Sequence, residues 1–375
     1  MPAADEVVRR LLDYFKERID LAHVERVRVR HLAALDYEGL EVPPLVCYLP
    51  YEGQEFQPYP YPEAFADPAK MMVNELLIGF TSLYHAVELG DDAPLCLRPN
   101  LGTGIIASMF GAEIRLVENN MPWVMSLGSL SCLQAIVDAP LPDVRFGLGQ
   151  RVIDQYDYYH HALSDYPRCQ AAFELTLPDL QGPFDTVELL WGSEIFVALY
   201  THTELVRALL SKITNLMLIV YGFLKGRIRD SLRPGYHYQH ATGVKGNLLI
   251  RDDSAILMSP KMYREIVQPV DARLAAELEG AGIHFCGNGQ HQVDNMLAIP
   301  GMQCLDLGQP EKMDLDAIYA KAAARRVPLV RLTVPEADLT ARRVRERFPL
   351  GVSLIYQAES VAQARRLRQR YYSET

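Results

Sequence analysis

Two rhythms of apolar positions run along this chain. Near the N-terminus Val7, Val8, Leu11, Leu12 and Phe15 recur at helical spacing, which predicts helix over 5–35. Further on, short apolar runs alternate with amphipathic stretches. The runs at 43–49, 93–97, 171–175, 246–251, 282–286, 302–307, 328–332 and 351–356 read as strands. Helices are expected between them. One opens at Asp67-Pro68, an N-cap carboxylate followed by proline, and runs to Leu89 before Gly90. Another starts at the capping-box spacing of Thr201 and Glu204, and a third at Ser259-Pro260. Further helices are read at 153–163, 314–324, 340–348 and 360–371.

Strand–helix alternation with linkers of ordinary length predicts a parallel sheet covered by helices. The simplest architecture is an α/β (β/α)8 TIM barrel with an N-terminal helical extension. A doubly wound open sheet is the alternative. No repeat, low-complexity tract or linker cuts the chain in two. The division is therefore 1–40 for the helical extension and 41–375 for the barrel.

Charge and cysteine usage narrow the functions. Net charge is −10, from 37 basic and 47 acidic residues, which opposes binding to nucleic-acid phosphate. Six scattered cysteines form no CxxC pair and no disulfide framework. The most apolar run, 216–224, is shorter than the ~20 residues a bilayer span needs. The expectation is a cytoplasmic enzyme with reduced thiols and a small-molecule substrate, away from membranes and nucleic acid.

The chemistry concentrates where the strand at 282–286 stops in a glycine turn, Gly287-Asn288. Side chains alternate along a strand, so His284 and Cys286 share a face. Imidazole nitrogen with thiolate sulfur suits zinc. The plain alternative is a buried strand end with an apolar cysteine and a histidine bonded to backbone. Asp252 and Asp253 end another strand, where a barrel gathers its catalytic groups. Asp252 is read as the acid–base group and Asp253 as a substrate contact; turn and capping chemistry is the alternative for both. Asn288, His240 in the loop ahead of that strand, and Trp191 after Gly182-Pro183 are read as lining the substrate entrance.

Several of these segments resemble one family. Arg251-Asp252-Asp253-Ser254-Ala255 followed by Met258-Ser259-Pro260-Lys261-Met262-Tyr263, the strand Gly282 to Asn288, and Gly182-Pro183-Phe184-Asp185 are similar to segments of uroporphyrinogen decarboxylase-like proteins. The resemblance spans roughly 90–372. It implies a (β/α)8 barrel with its active site at the C-terminal ends of the strands, and relatives that are often dimers. One branch decarboxylates a polycarboxylate macrocycle. The other uses zinc to move a methyl group between a corrinoid carried on a partner protein and a thiol or similar acceptor.

The sequence departs from the first branch. Its substrate-holding arginines are absent from Cys47-Tyr48-Leu49-Pro50-Tyr51-Glu52-Gly53, and its late "G-H-G" histidine is absent near Gly351. His284-x-Cys286 is similar to the zinc branch. That branch's third cysteine after the last strand is missing too; because carboxylates also bind zinc, Glu359 or a residue from another strand is the candidate for its place. Cys304 starts its strand, which puts it at the far end of the barrel. The reading is a zinc-assisted methyltransferase holding metal through His284, Cys286 and Glu359. A metal-independent decarboxylase or a non-catalytic binding barrel is the alternative.

Overall fold

The computed structural model describes residues 3–229 and 232–373. Its strands are β1 (Leu45–Tyr48), β2 (Leu95–Leu97), β3 (Glu113–Arg115), β4 (Trp123–Met125), β5 (Phe173–Leu175) and β6 (Tyr236–Gln239). They continue with β7 (Thr242–Lys245), β8 (Leu249–Arg251), β9 (Ala281–Phe285), β10 (Met302–Leu307), β11 (Leu329–Thr333) and β12 (Val352–Gln357). Six of them form one parallel sheet in the order β1-β12-β11-β10-β9-β8, and β2 pairs with β5, also parallel. These eight parallel strands and their flanking helices make an α/β barrel of the TIM type. Both faces of the wall are covered, so strands such as β9 are buried at every position.

The ladder is interrupted at two seams, and side chains take over its hydrogen bonds there. At the edge of β1 the N–H of Leu45 donates to Asp92 and that of Cys47 to Asp91. Leu49 N–H donates to Thr81 Oγ1, whose hydroxyl donates to the Cys47 carbonyl. Between β5 and β8, Asp179 pairs with Arg251 at 3.0 Å, and Gly182 lies so close to β8 that a Cβ there would sit 2.2 Å from the Arg251 carbonyl.

Three features depart from the sequence expectation. The N-terminal helix is two helices, Ala4–Arg18 and Leu21–Leu35, restarted by the Asp20 cap. The helix after Asp67 likewise divides into Pro68–Ile78 and Leu83–Leu89 around Gly79. The segment ahead of β8, read as a loop, is the antiparallel hairpin β6–β7. Its two tip residues, His240 and Ala241, have φ of 51° and 54°. These are the left-handed positions of a type I′ turn, here filled without asparagine or glycine.

That hairpin fills the barrel from below. Its base joins Leu35, Leu249, Cys304 and Val330 in an apolar cluster through Val244. Its tip meets strands all around the wall. Tyr48 of β1 donates to the His240 carbonyl at 2.7 Å, and Arg251 of β8 bonds the His240 ring. The His284 ring of β9 is 6.2 Å from the His240 ring, and Ser353 of β12 is 3.4 Å from Thr242. Only a segment inside the barrel touches four such strands at once.

The 23-residue helix Thr203–Lys225 is long and apolar enough by composition to cross a membrane. Val206, Leu209, Leu210, Ile213, Leu216 and Met217 lie along its buried face, within the hydrophobic core.

Candidate metal centre

β9 and β8 end side by side, in parallel register with Arg251 opposite His284. Alternation along β9 sends His284 and Cys286 the same way, as the sequence requires. Cys286 Sγ lies 3.4 Å from His284 Nε2. The chain beyond β8 brings a third donor: Asp253 Oδ1 is 3.6 Å from His284 Nε2 and accepts the Cys286 N–H at 2.6 Å. The three ligand atoms lie within 4.8 Å of one another. A tetrahedron with zinc bond lengths of ~2.0–2.3 Å has edges of about 3.3–3.8 Å, so the two spacings at His284 fit.

His284 is aimed from behind. Its Nδ1 lies 3.0 Å from Asp306 Oδ2 on β10. Asp306 is fully buried, and Arg331 of β11 bonds the same oxygen at 2.9 Å. The Arg331 guanidinium and His284 hold the Asp306 carboxyl well below the usual carboxylate range against the opposing effect of burial. An ionised carboxylate only accepts, so Nδ1 is the nitrogen that donates to Asp306, and Nε2 is the one that faces Cys286 and Asp253. This is the arrangement that orients a metal-binding histidine.

Two backbone features keep the geometry. Arg331 has φ of 56° at a bulge, where β11 offers two residues against Ser353 between the Leu329–Val352 and Leu332–Leu354 pairs. Gly308, just past β10, leaves room for the thiol: a Cβ there would lie 2.6 Å from Cys286 Sγ. Cys286 itself is exposed. Partial burial of the thiol and the Asp253 carboxylate raise it to about 11.

The other expected residues are outside the donor cluster. Glu359, read as the third metal donor, is exposed, bonds Gln363 through its N–H, and is outside the donor cluster; Asp253 takes that place. Asp252, read as the catalytic group, faces away from the barrel because its neighbour Arg251 faces in. The Tyr263 hydroxyl sits between its carboxyl and that of Asp271, at 3.2 and 2.9 Å. Burial and Asp271 push Asp252 well above the usual carboxylate range. His240 is in the lumen below the centre rather than at the entrance, its ring 4.4 Å from Phe80. Burial and the surrounding arginines, Arg251 first, keep it neutral. Trp191 is buried at the end of the helix Pro183–Trp191 beside His202. Asn288 is exposed in the turn after Cys286.

Asp306 and Arg331 did not stand out in the sequence. Their signal is a lone acid in one apolar strand and a lone base in the next, the pattern of a buried ion pair between neighbouring strands.

Comparison with known proteins adds the fold. No family model matches the sequence, and no curated protein does. The chain shares its fold with a methyltransferase from Methanosarcina mazei. The TM-score is 0.64 at 17% identity, over 92% of this chain and 98% of that one. Architecture is thus shared along nearly the whole of both chains, although few residues are.

Proposed function

We propose that the protein is a zinc-assisted methyltransferase of the uroporphyrinogen decarboxylase-like kind, moving a methyl group between a corrinoid-bearing partner and a thiol or similar acceptor. One observation carries the reading: Asp253, His284 and Cys286 converge at the barrel mouth, with Asp306 behind the imidazole. The fold shared with the Methanosarcina mazei methyltransferase supports it.

Three protein donors and an open position are the signature of a catalytic zinc site. Zinc bound there supplies the means to hold an acceptor sulfur as thiolate at neutral pH. Asp253 carries the same formal charge as the cysteine the zinc branch places after its last strand. With Cys286 it gives two negative ligands and a neutral centre before the acceptor arrives. Asp306 and Arg331 form an internally neutral pair, so they set the imidazole's direction without adding net charge.

The filled lumen supports a reaction at the rim. The cavity enclosed by Glu75, Phe80, Arg98, Thr176 and His240 has a volume of only about 10 Å³. A macrocycle does not fit in that space beside His240, which weighs against the decarboxylase alternative. An exposed Cys286 is instead open to a group presented from outside.

The test is methyl transfer from methylcobalamin to a simple thiol, using metal-free and zinc-loaded protein. Zinc-dependent turnover that disappears in Cys286→Ser is the expected outcome. Turnover indifferent to zinc and to that substitution would remove the reading.

A further inference from the structure

Asp185 is not among the donors, yet its carboxyl group grips the backbone that carries one of them. It lies buried in the first turn of the helix Pro183–Trp191. Oδ2 accepts the Asp253 N–H at 2.9 Å, and Oδ1 accepts the Ser254 N–H at 2.9 Å. From there the chain of contacts is short. Asp253 Oδ1 takes the Cys286 N–H at 2.6 Å and faces His284 Nε2 at 3.6 Å.

The grip is needed because β8 ends at Arg251. Past it, the Asp252 N–H still reaches the His284 carbonyl at 2.8 Å, and the next two N–H groups turn to Asp185. Gly182, packed against the Arg251 carbonyl, brings the helix start within reach of a short side chain. A planar carboxyl fork offers both its oxygens in one plane, so two successive amides held by it have a fixed orientation. Fixing the amides of 253 and 254 fixes the direction in which the Asp253 side chain leaves the backbone.

We propose that Asp185 is a positioning residue, which sets the Asp253 carboxylate as the third donor beside His284 and Cys286. The metal arm of its test rests on the zinc reading; a second arm does not. Asp185→Asn keeps one acceptor oxygen and loses the other, so one of the two amides is released. Asp185→Glu keeps both oxygens and moves the fork by a methylene, and serves if the asparagine variant does not fold.

In the metal arm, zinc affinity is measured by chelator competition for the wild type, Asp185→Asn, Asp253→Asn and the double variant. Each single substitution is expected to weaken binding about 10–100-fold, the usual effect of disturbing a ligand's support. The double variant is expected to bind no more weakly than Asp253→Asn alone, because Asp185 acts only through Asp253. Wild-type affinity in Asp185→Asn, or losses that multiply in the double variant, would overturn the proposal.

The second arm is amide hydrogen exchange in metal-free protein. Release of the turn is expected to speed exchange at Cys286, whose N–H is held by Asp253, by tenfold or more on an order-of-magnitude basis. Unchanged exchange at Cys286 would refute the role of Asp185. If the wild type takes up no zinc, the zinc reading fails, and the exchange result alone decides the proposal.

Discussion

A neutral imidazole offers a metal one lone pair, and whatever holds its other nitrogen decides where that pair points. In this protein the holder is Asp306, at 3.0 Å from His284 Nδ1, kept ionised by Arg331. Asp306→Asn is therefore expected to lower zinc affinity about 10–100-fold while the protein stays folded, measured by chelator competition. Arg331→Ala leaves a buried carboxylate without its guanidinium and should cost about 3–5 kcal/mol in urea unfolding. At Gly308 the expectation is steric: a methyl group 2.6 Å from Cys286 Sγ must displace the thiol. Gly308→Ala should cost about 1–3 kcal/mol and weaken metal uptake. His284 and Cys286 were legible in the sequence because strand alternation is a local rule. Asp253 was singled out, but as a substrate contact; its place beside His284 and Cys286 depends on how β8 and β9 end against each other. Asp252 misled for the mirror-image reason. Neighbours on a strand face opposite ways, and nothing in the sequence says which of two adjacent aspartates faces in.

At the scale of elements, the periodic strands and helices were readable because burial repeats every two or three to four residues. What was not readable were breaks and insertions set by tertiary contacts. The division of the first helix at Asp20 and the hairpin β6–β7 are both of this kind. The sequence around His237-Tyr238-Gln239-His240 carries no Asn-Gly or Asp-Gly signal, because the I′ turn is made by His240 and Ala241. The hairpin is instead stabilised by what surrounds it inside the barrel. At its foot Gly246 has φ of 112° and lies so near Ala281 that a Cβ would be 2.8 Å from that residue's carbonyl carbon. Gly246→Ala is expected to destabilise by more than about 1 kcal/mol in chemical denaturation. A neutral result would mean that the foot of the hairpin is not held against the start of β9.

The whole molecule carries its buried charges in ways that oppose each other with pH. Asp306 is held below the usual carboxylate range, so its stabilisation is present above the ordinary carboxylate pKa and is lost in strong acid. Asp91, on the β1 seam, is the reverse: burial raises it from 3.8 to about 7, although the Cys47 N–H opposes this. Between those values the folded chain holds a proton that the unfolded chain has lost. Stability from this group is thus fully present below pH 4 and declines as pH rises toward 7. Asparagine at 91 keeps an acceptor for Cys47 and does not titrate. Asp91→Asn should flatten the fall in urea stability across that window, and an unchanged slope would contradict the assignment.

The central claim is that one sulfur, one imidazole nitrogen and one carboxylate oxygen of this chain converge on zinc. X-ray absorption at the zinc edge of the loaded protein tests it most directly. The account expects one equivalent of zinc per chain, with a single sulfur near 2.3 Å and the remaining ligands nitrogen or oxygen near 2.0–2.1 Å. The sulfur shell should vanish in Cys286→Ser. A protein that takes up no zinc, or zinc with no sulfur neighbour in the wild type, would contradict it.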